Sequence, residues 1–289
     1  MGTRHWVVGI GHQALGAYRL IMPAVGLLLI LGLSACKTTP SPAVPDLALP
    51  SYQDLATRHN ANAALLKQMW SRCTIAMRWE ENGQRHHQQA EGLFIFRGQR
   101  DIALKISKLD TVNLFWFGSN DEQYWLIDEY NKPTTTYVGT HAQSQLRLPI
   151  QLPVTDFLQL AAVRPIAESG RVESVDGLIV LIPDDQPIRL YFDPQKRQPV
   201  KTEVLDENGQ VEATCLMHNL ERLDVPNVSP LDDPFIATRF VITTPDDAGS
   251  MTLAIDDMQV NRVANVQFDL SRLMKAFPTD RVVDLDESR

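Results

Sequence analysis

The stretch from Cys73 to Phe96, "CTIAMRWEENGQRHHQQAEGLFIF", is where the sequence adopts a period of two. Cys73, Ile75, Met77 and Trp79 alternate with Thr74, Ala76, Arg78 and Glu80. Successive side chains of a strand point to opposite faces, so this pattern is that of a strand with one apolar face. Asn82-Gly83 interrupts it, and both residues tolerate the positive φ that a two-residue hairpin loop demands. Gly92-Leu93-Phe94-Ile95-Phe96 supplies the return strand.

Downstream the pattern repeats at short intervals. Strands are expected over 102–107, 112–117, 123–128 and 134–138. Pro153 to Val163 departs from it, because Val154, Phe157, Leu158 and Ala161 fall at helical spacing. Strands resume at 178–182, 188–192, 200–205 and 211–217, with a second Asn-Gly turn at Asn208-Gly209. A proline-rich excursion from Asp224 to Pro234 precedes strands at 236–243 and 251–260. Leu270, Leu273, Met274 and Phe277 suggest a helical turn or two. Strands joined by turns rather than helices form an antiparallel meander. About 11 of them are too many for a flat sheet with exposed edges, and helices inserted at two points can cover a curled sheet's open side. The expected fold is mainly β (α+β), an unclosed antiparallel β-barrel or half-barrel.

Upstream, Ser51 to Trp70 carries Leu55, Leu65, Leu66 and Met69 among polar residues, with Ser51 and Asp54 in cap-like spacing, and reads as an amphipathic helix. Lys37 to Pro50 holds four prolines and reads as an extended tether. Before it, the apolar run from Leu20 to Leu33 is shorter than the roughly 20 residues of a spanning helix. With Arg4 and Arg19 on its upstream flank, it has the form of a secretory signal peptide. Leu33-Ser34-Ala35-Cys36 looks like a bacterial lipobox, which implies cleavage before Cys36 and acylation of its thiol and freed amine. Two or more chains hold a protein stably on a membrane. Lys37, rather than aspartate, follows the cysteine and favours the outer membrane, on its periplasmic face. The expected organisation is a signal peptide over 1–35, a lipidated cysteine and tether over 36–50, the β domain over 51–277 and a polar tail over 278–289.

The chain has 289 residues and a net charge of -8. Without residues 1–35 it keeps 25 basic and 35 acidic residues. That balance argues against nucleic acid as a partner and against electrostatic attachment to anionic lipid. Cys73 and Cys215 are the remaining cysteines, either one disulfide or two buried thiols; a bridge needs their strands to be neighbours.

Two segments resemble a known family. The first is Leu190 to Gly209, "LYFDPQKRQPVKTEVLDENG": an aromatic-Asp turn, then Pro-Val-Lys, then an acidic Asn-Gly turn. The second is Met251 to Asn261, "MTLAIDDMQVN", followed by Phe268-Asp269-Leu270. Both are similar to segments of the LolA/LolB-like outer-membrane lipoprotein-sorting proteins. The resemblance implies an unclosed barrel with a helical lid over an apolar cavity that receives acyl chains of lipids or lipoproteins. Cys36 aligns the chain with the lipid-anchored LolB type. That type presents an exposed apolar loop residue; no motif matches it here, and Leu109 is singled out only by its position between two expected strands.

On that reading the cavity wall draws on Leu65, Phe94, Phe96, Phe115, Trp116, Phe117, Trp125 and Phe157, residues that an ordinary β core would use equally well. His86-His87 is not a chelating pair, because neighbours on a strand face opposite ways. Asp184-Asp185, Asp232-Asp233, Asp246-Asp247 and Asp256-Asp257 lack the alternating ligands and central glycine of a calcium loop. No nucleophile elbow, zinc helix or phosphate loop occurs. The expectation is a monomeric non-enzyme without metal or cofactor that binds acyl chains or acylated proteins. The alternative is an envelope lipoprotein that binds protein partners through the same fold.

Overall fold

Among the described residues, period-two alternation becomes fourteen strands in one sheet. The computed structural model describes residues 49–81, 83–108, 112–141, 157–245, 249–260 and 263–287. Cys36, the lipobox, Leu109 and Val154 lie outside the described residues. Ala48 to Arg289 form one compact unit that contains the whole sheet and its core, so it can fold without residues 1–47.

Helix α1 (Tyr52–Leu65) opens the unit, with Ser51 as N-cap accepting from the Asp54 N–H at 3.1 Å. Strands β1 (Gln68–Glu81) and β2 (Gln84–Arg97) form the long hairpin, and Gly83 takes φ 74° at its turn. The meander continues through β3 (Asp101–Lys108), β4 (Val112–Ser119), β5 (Gln123–Asp128) and β6 (Thr135–Thr140). The short helix α2 (Phe157–Leu160) leads to β7 (Gly170–Val175), β8 (Leu178–Pro183), β9 (Ile188–Phe192), β10 (Pro199–Leu205), β11 (Val211–Arg222), β12 (Phe235–Thr243) and β13 (Gly249–Gln259). A 3-10 turn (Asn265–Phe268), helix α3 (Leu270–Ala276) and β14 (Arg281–Asp284) complete it. The order across the sheet is β14-β6-β5-β4-β3-β2-β1-β13-β12-β11-β10-β9-β8-β7, antiparallel except for the parallel β14–β6 pair. The meanders join at β1–β13, with Ile75 opposite Leu253, and the sheet remains unclosed between β14 and β7.

Two strands were not expected, β7 and β14. The second lies within the polar tail expected over 278–289 and pairs it with β6. Asp280 accepts from the Thr134 N–H at 2.8 Å and from its hydroxyl at 2.9 Å, and the Leu285 N–H donates to the Val138 carbonyl at 2.8 Å. The first helix is also shorter than 51–70. Its C-cap Leu66 N–H turns back to the Ala63 carbonyl, and Met69 and Trp70 pair with Phe96 and Ile95 in the hairpin ladder. Tertiary pairing overrides helical spacing there.

The core is divided by the sheet. On the concave side, Leu55, Ala56 and Leu66 of the α1 region and Leu158 and Leu160 of α2 pack on Met69, Phe94, Phe96, Leu181, Leu190 and Phe240. On the convex side, Leu270 and Leu273 of α3 cover Trp125 and Ile127, and Phe268 covers Ile95 and Ala103.

Candidate binding cleft

The helices cover only part of the concave face. Beyond them, toward the β1–β2 turn, lies a cleft of about 890 Å³ lined chiefly by β1 to β5. Its floor is Ile75, Met77, Leu104, Ile106, Phe115, Phe117, Leu126 and Met251, and its rim includes Trp79, Glu80, His86, Gln88 and Asn131. Register explains the assembly. Phe117 pairs with Leu104 on one side and Leu126 on the other, and all three share the concave face. Met77, Trp79, Leu104, Phe115 and Leu126 are only half-buried, an unusual state for large apolar groups on an inward face.

The rim is built by hydrogen bonds. The buried Asp128 carboxylate accepts from the Tyr130 and Asn131 N–H groups at 3.0 Å each and from Asn131 Nδ2 at 2.7 Å. This turn places the Tyr130 ring 6.4 Å from Phe115. Across the cleft the His86 ring stacks on Trp79, 5.2 Å between centroids and 18° between planes.

Of the residues expected at the cavity, Phe115 and Phe117 line this cleft. Phe94 and Phe96 are buried in the covered half, where Phe157 packs edge-on against Phe94 at 5.2 Å and Phe240 at 6.3 Å. The expected cavity beneath α2 is therefore packed, and the open volume is displaced toward the hairpin end. Leu65 lies elsewhere, in a recess of about 740 Å³ at the C-terminal end of α1 with Val163, Val225 and Val260. Trp116 and Trp125 are on the other face of the sheet. Trp116 meets Phe277 at 5.3 Å, and Trp125 lies under α3. Strand alternation sends them opposite to Phe115 and Phe117. Met77, Leu104, Leu126 and Met251 were not singled out as site residues; their signal was the alternation in register with Cys73 and Phe117.

The lid is pinned through polar groups. Tyr52 Oη donates to the Ala167 carbonyl at 2.8 Å, Asn60 Nδ2 to the Ile166 carbonyl at 2.9 Å, and Asn62 Nδ2 to the Phe235 carbonyl at 3.0 Å. The buried His59 donates from Nε2 to the Arg164 carbonyl at 2.8 Å. A carbonyl only accepts, so Nε2 carries the hydrogen. Away from the cleft, on β9 and β10, Glu203 accepts from Tyr191 Oη at 2.7 Å and from Lys201 Nζ at 2.6 Å. Desolvation alone would raise this carboxyl, but the Lys201 and Tyr191 hydrogen bonds hold it below its usual range. Such a paired carboxylate is a poor proton acceptor. Among the described residues no group of three His, Cys, Asp or Glu side chains is placed to hold a metal ion, and no helix is long and apolar enough to cross a membrane.

No family model and no curated protein matches the chain. Solved structures do. A DUF1329 family protein from Desulfovibrio piger superposes at a TM-score of 0.51 with 12% identity, over 77% of this chain and 97% of that one. A domain from Vibrio parahaemolyticus, described as an outer-membrane lipoprotein-sorting protein domain, superposes at 0.50 with 14% identity, over 76% and 97%. The chain shares the fold of these two proteins. A LolA superfamily protein from Nitrosomonas europaea gives 0.49 at 14% identity, over 76% and 98%. At such identities the likeness is one of fold, and the cleft has to be read from its own residues. Within this sheet, the open part of the concave face is the candidate site.

Proposed function

We propose that this protein is a non-enzymatic envelope lipoprotein, anchored through acylated Cys36 to the periplasmic face of the outer membrane, whose β1–β5 cleft binds acyl chains of lipids or lipoproteins. The observation that carries the reading is the cleft itself: half-buried Met77, Leu104, Phe115 and Leu126 facing a volume of about 890 Å³ that none of the described residues fills. Interiors otherwise pack to near crystal density, so an inward apolar face left unfilled marks a place for a guest. Each methylene moved from water into it contributes about 0.8 kcal/mol, on the order of ten kcal/mol for a long chain before the costs of ordering. The likeness of fold to a lipoprotein-sorting domain supports the same ligand class.

Titration of the Ala48–Arg289 unit with a fluorescent fatty-acid analogue tests it. Saturable binding is expected, weakened at least tenfold by Phe117→Asp, which puts a charge on the cleft floor. Absence of binding, or equal binding by the variant, sinks the reading. The anchor is tested separately: Cys36→Ser in the full chain is expected to abolish fatty-acid labelling.

A further inference from the structure

Strand β2 outruns its neighbour. It pairs with β1 as far as Gln84, but with β3 only from Glu91 to Arg97. Strand β3 ends at Lys108, and near that end the β3–β4 register slips: Ile106 faces Phe115, yet Ser107 faces Asn113. A bulge of this kind bends a strand and increases its twist. Gln84–Ala90 is left with one edge facing no strand among the described residues.

Natural sheets blunt long edges with proline, charge or a covering element. The stretch "QRHHQQA" has no proline and one guanidinium, and Gln84, Arg85, His87 and Gln89 are exposed. This edge is continuous with the cleft, since His86, His87 and Gln88 form one of the cleft's walls. A ligand seated among Met77, Leu104 and Phe115 therefore lies beside a row of backbone N–H and C=O groups that have no strand partner among the described residues.

We propose that the β2 edge Gln84–Ala90 docks an extended polypeptide segment by strand addition, and that this segment is the one carrying the acyl chain held in the cleft. The proposal rests on the acyl-binding reading of the cleft. Main-chain hydrogen bonds to a free edge give affinity with little demand on sequence. Seven residues of added strand span roughly 23 Å. Joining the strand to the chain makes its docking intramolecular, so a strip that is weak by itself still raises the combined affinity.

The test compares probes on the Ala48–Arg289 unit: lauroyl amide, an N-lauroyl threonine-rich heptapeptide, and two versions of that heptapeptide N-methylated at alternate amides in either register. The acylated heptapeptide is expected to bind at least tenfold tighter than the amide. At least one methylated register should lose that gain. Backbone amide exchange within 84–90 should slow with the unmethylated acylated peptide and not with lauroyl amide. If both methylated peptides bind like the parent, or 84–90 gains no protection, strand addition is wrong while the cleft stands. If lauroyl amide does not bind at all, the cleft reading fails and the edge proposal falls with it.

Discussion

Cys73 on β1 and Cys215 on β11 both point into the concave core, with β12 and β13 between their strands. They are free thiols, and burial pushes each up to about 12, with Asp256 adding to the effect at Cys73. The thiolate is the reactive form, so an alkylating reagent should leave both unmodified in the native protein and label both on unfolding. Rapid native labelling of either would contradict their burial. His59 makes stability depend on pH. Desolvation pushes its imidazole below the ordinary range, and the hydrogen bond to the Arg164 carbonyl opposes this only in part. The unfolded chain thus takes up a proton more readily than the folded one. The stability due to neutral His59 is full above about pH 6.5 and is lost as pH falls toward the lower folded value. The thermal midpoint should drop on acidification through that window, and His59→Gln should be less stable at neutral pH with a shallower drop. An equally steep fall in the variant would assign the acid sensitivity to other groups. The same scale explains which site residues were legible. Phe115-Trp116-Phe117 reads as apolar bulk when counted, but period two divides it between faces, and only the alternation identifies the two that meet the cleft.

At the scale of elements, the hairpins written in Asn-Gly and Asp turns form as their local chemistry requires. Asp193 caps the Gln195 and Lys196 N–H groups at 2.8 and 2.7 Å, and Asp206 caps those of Asn208 and Gln210 at 2.9 and 2.7 Å. Elements decided by distant partners were not legible. β14 is four residues of ordinary composition that become a strand only because β6 lies beside them, and β1 gains its first turn of strand from Phe96 and Ile95. Helix α3, expected from Leu270, Leu273, Met274 and Phe277, forms where the spacing placed it, and its seat on the convex face is set by Trp125. That contact requires Gly118, because a Cβ there would lie 2.5 Å from the Trp125 ring. Gly118→Val should cost about 1–3 kcal/mol by overpacking, read by chemical denaturation. A neutral result would mean that Trp125 and α3 can move apart without loss.

For the whole molecule, the concave face is half protein core and half open cleft. The unclosed antiparallel architecture was legible, because closely spaced strands with two helical interruptions leave few alternatives. The boundary between the packed and open halves was not, since it depends on how far α1 and α2 reach across the sheet. Phe157 marks it: its ring fills the space over Phe94 and Phe240 that the sequence had suggested for a ligand. The most direct measurement is a set of intermolecular NOEs between a ¹³C-labelled acyl chain and assigned methyl groups of the Ala48–Arg289 unit. Contacts to Met77, Leu104, Leu126 and Met251 are expected; contacts confined to Leu65, Val225 and Val260 at the end of α1, or none, would contradict the cleft as the acyl site.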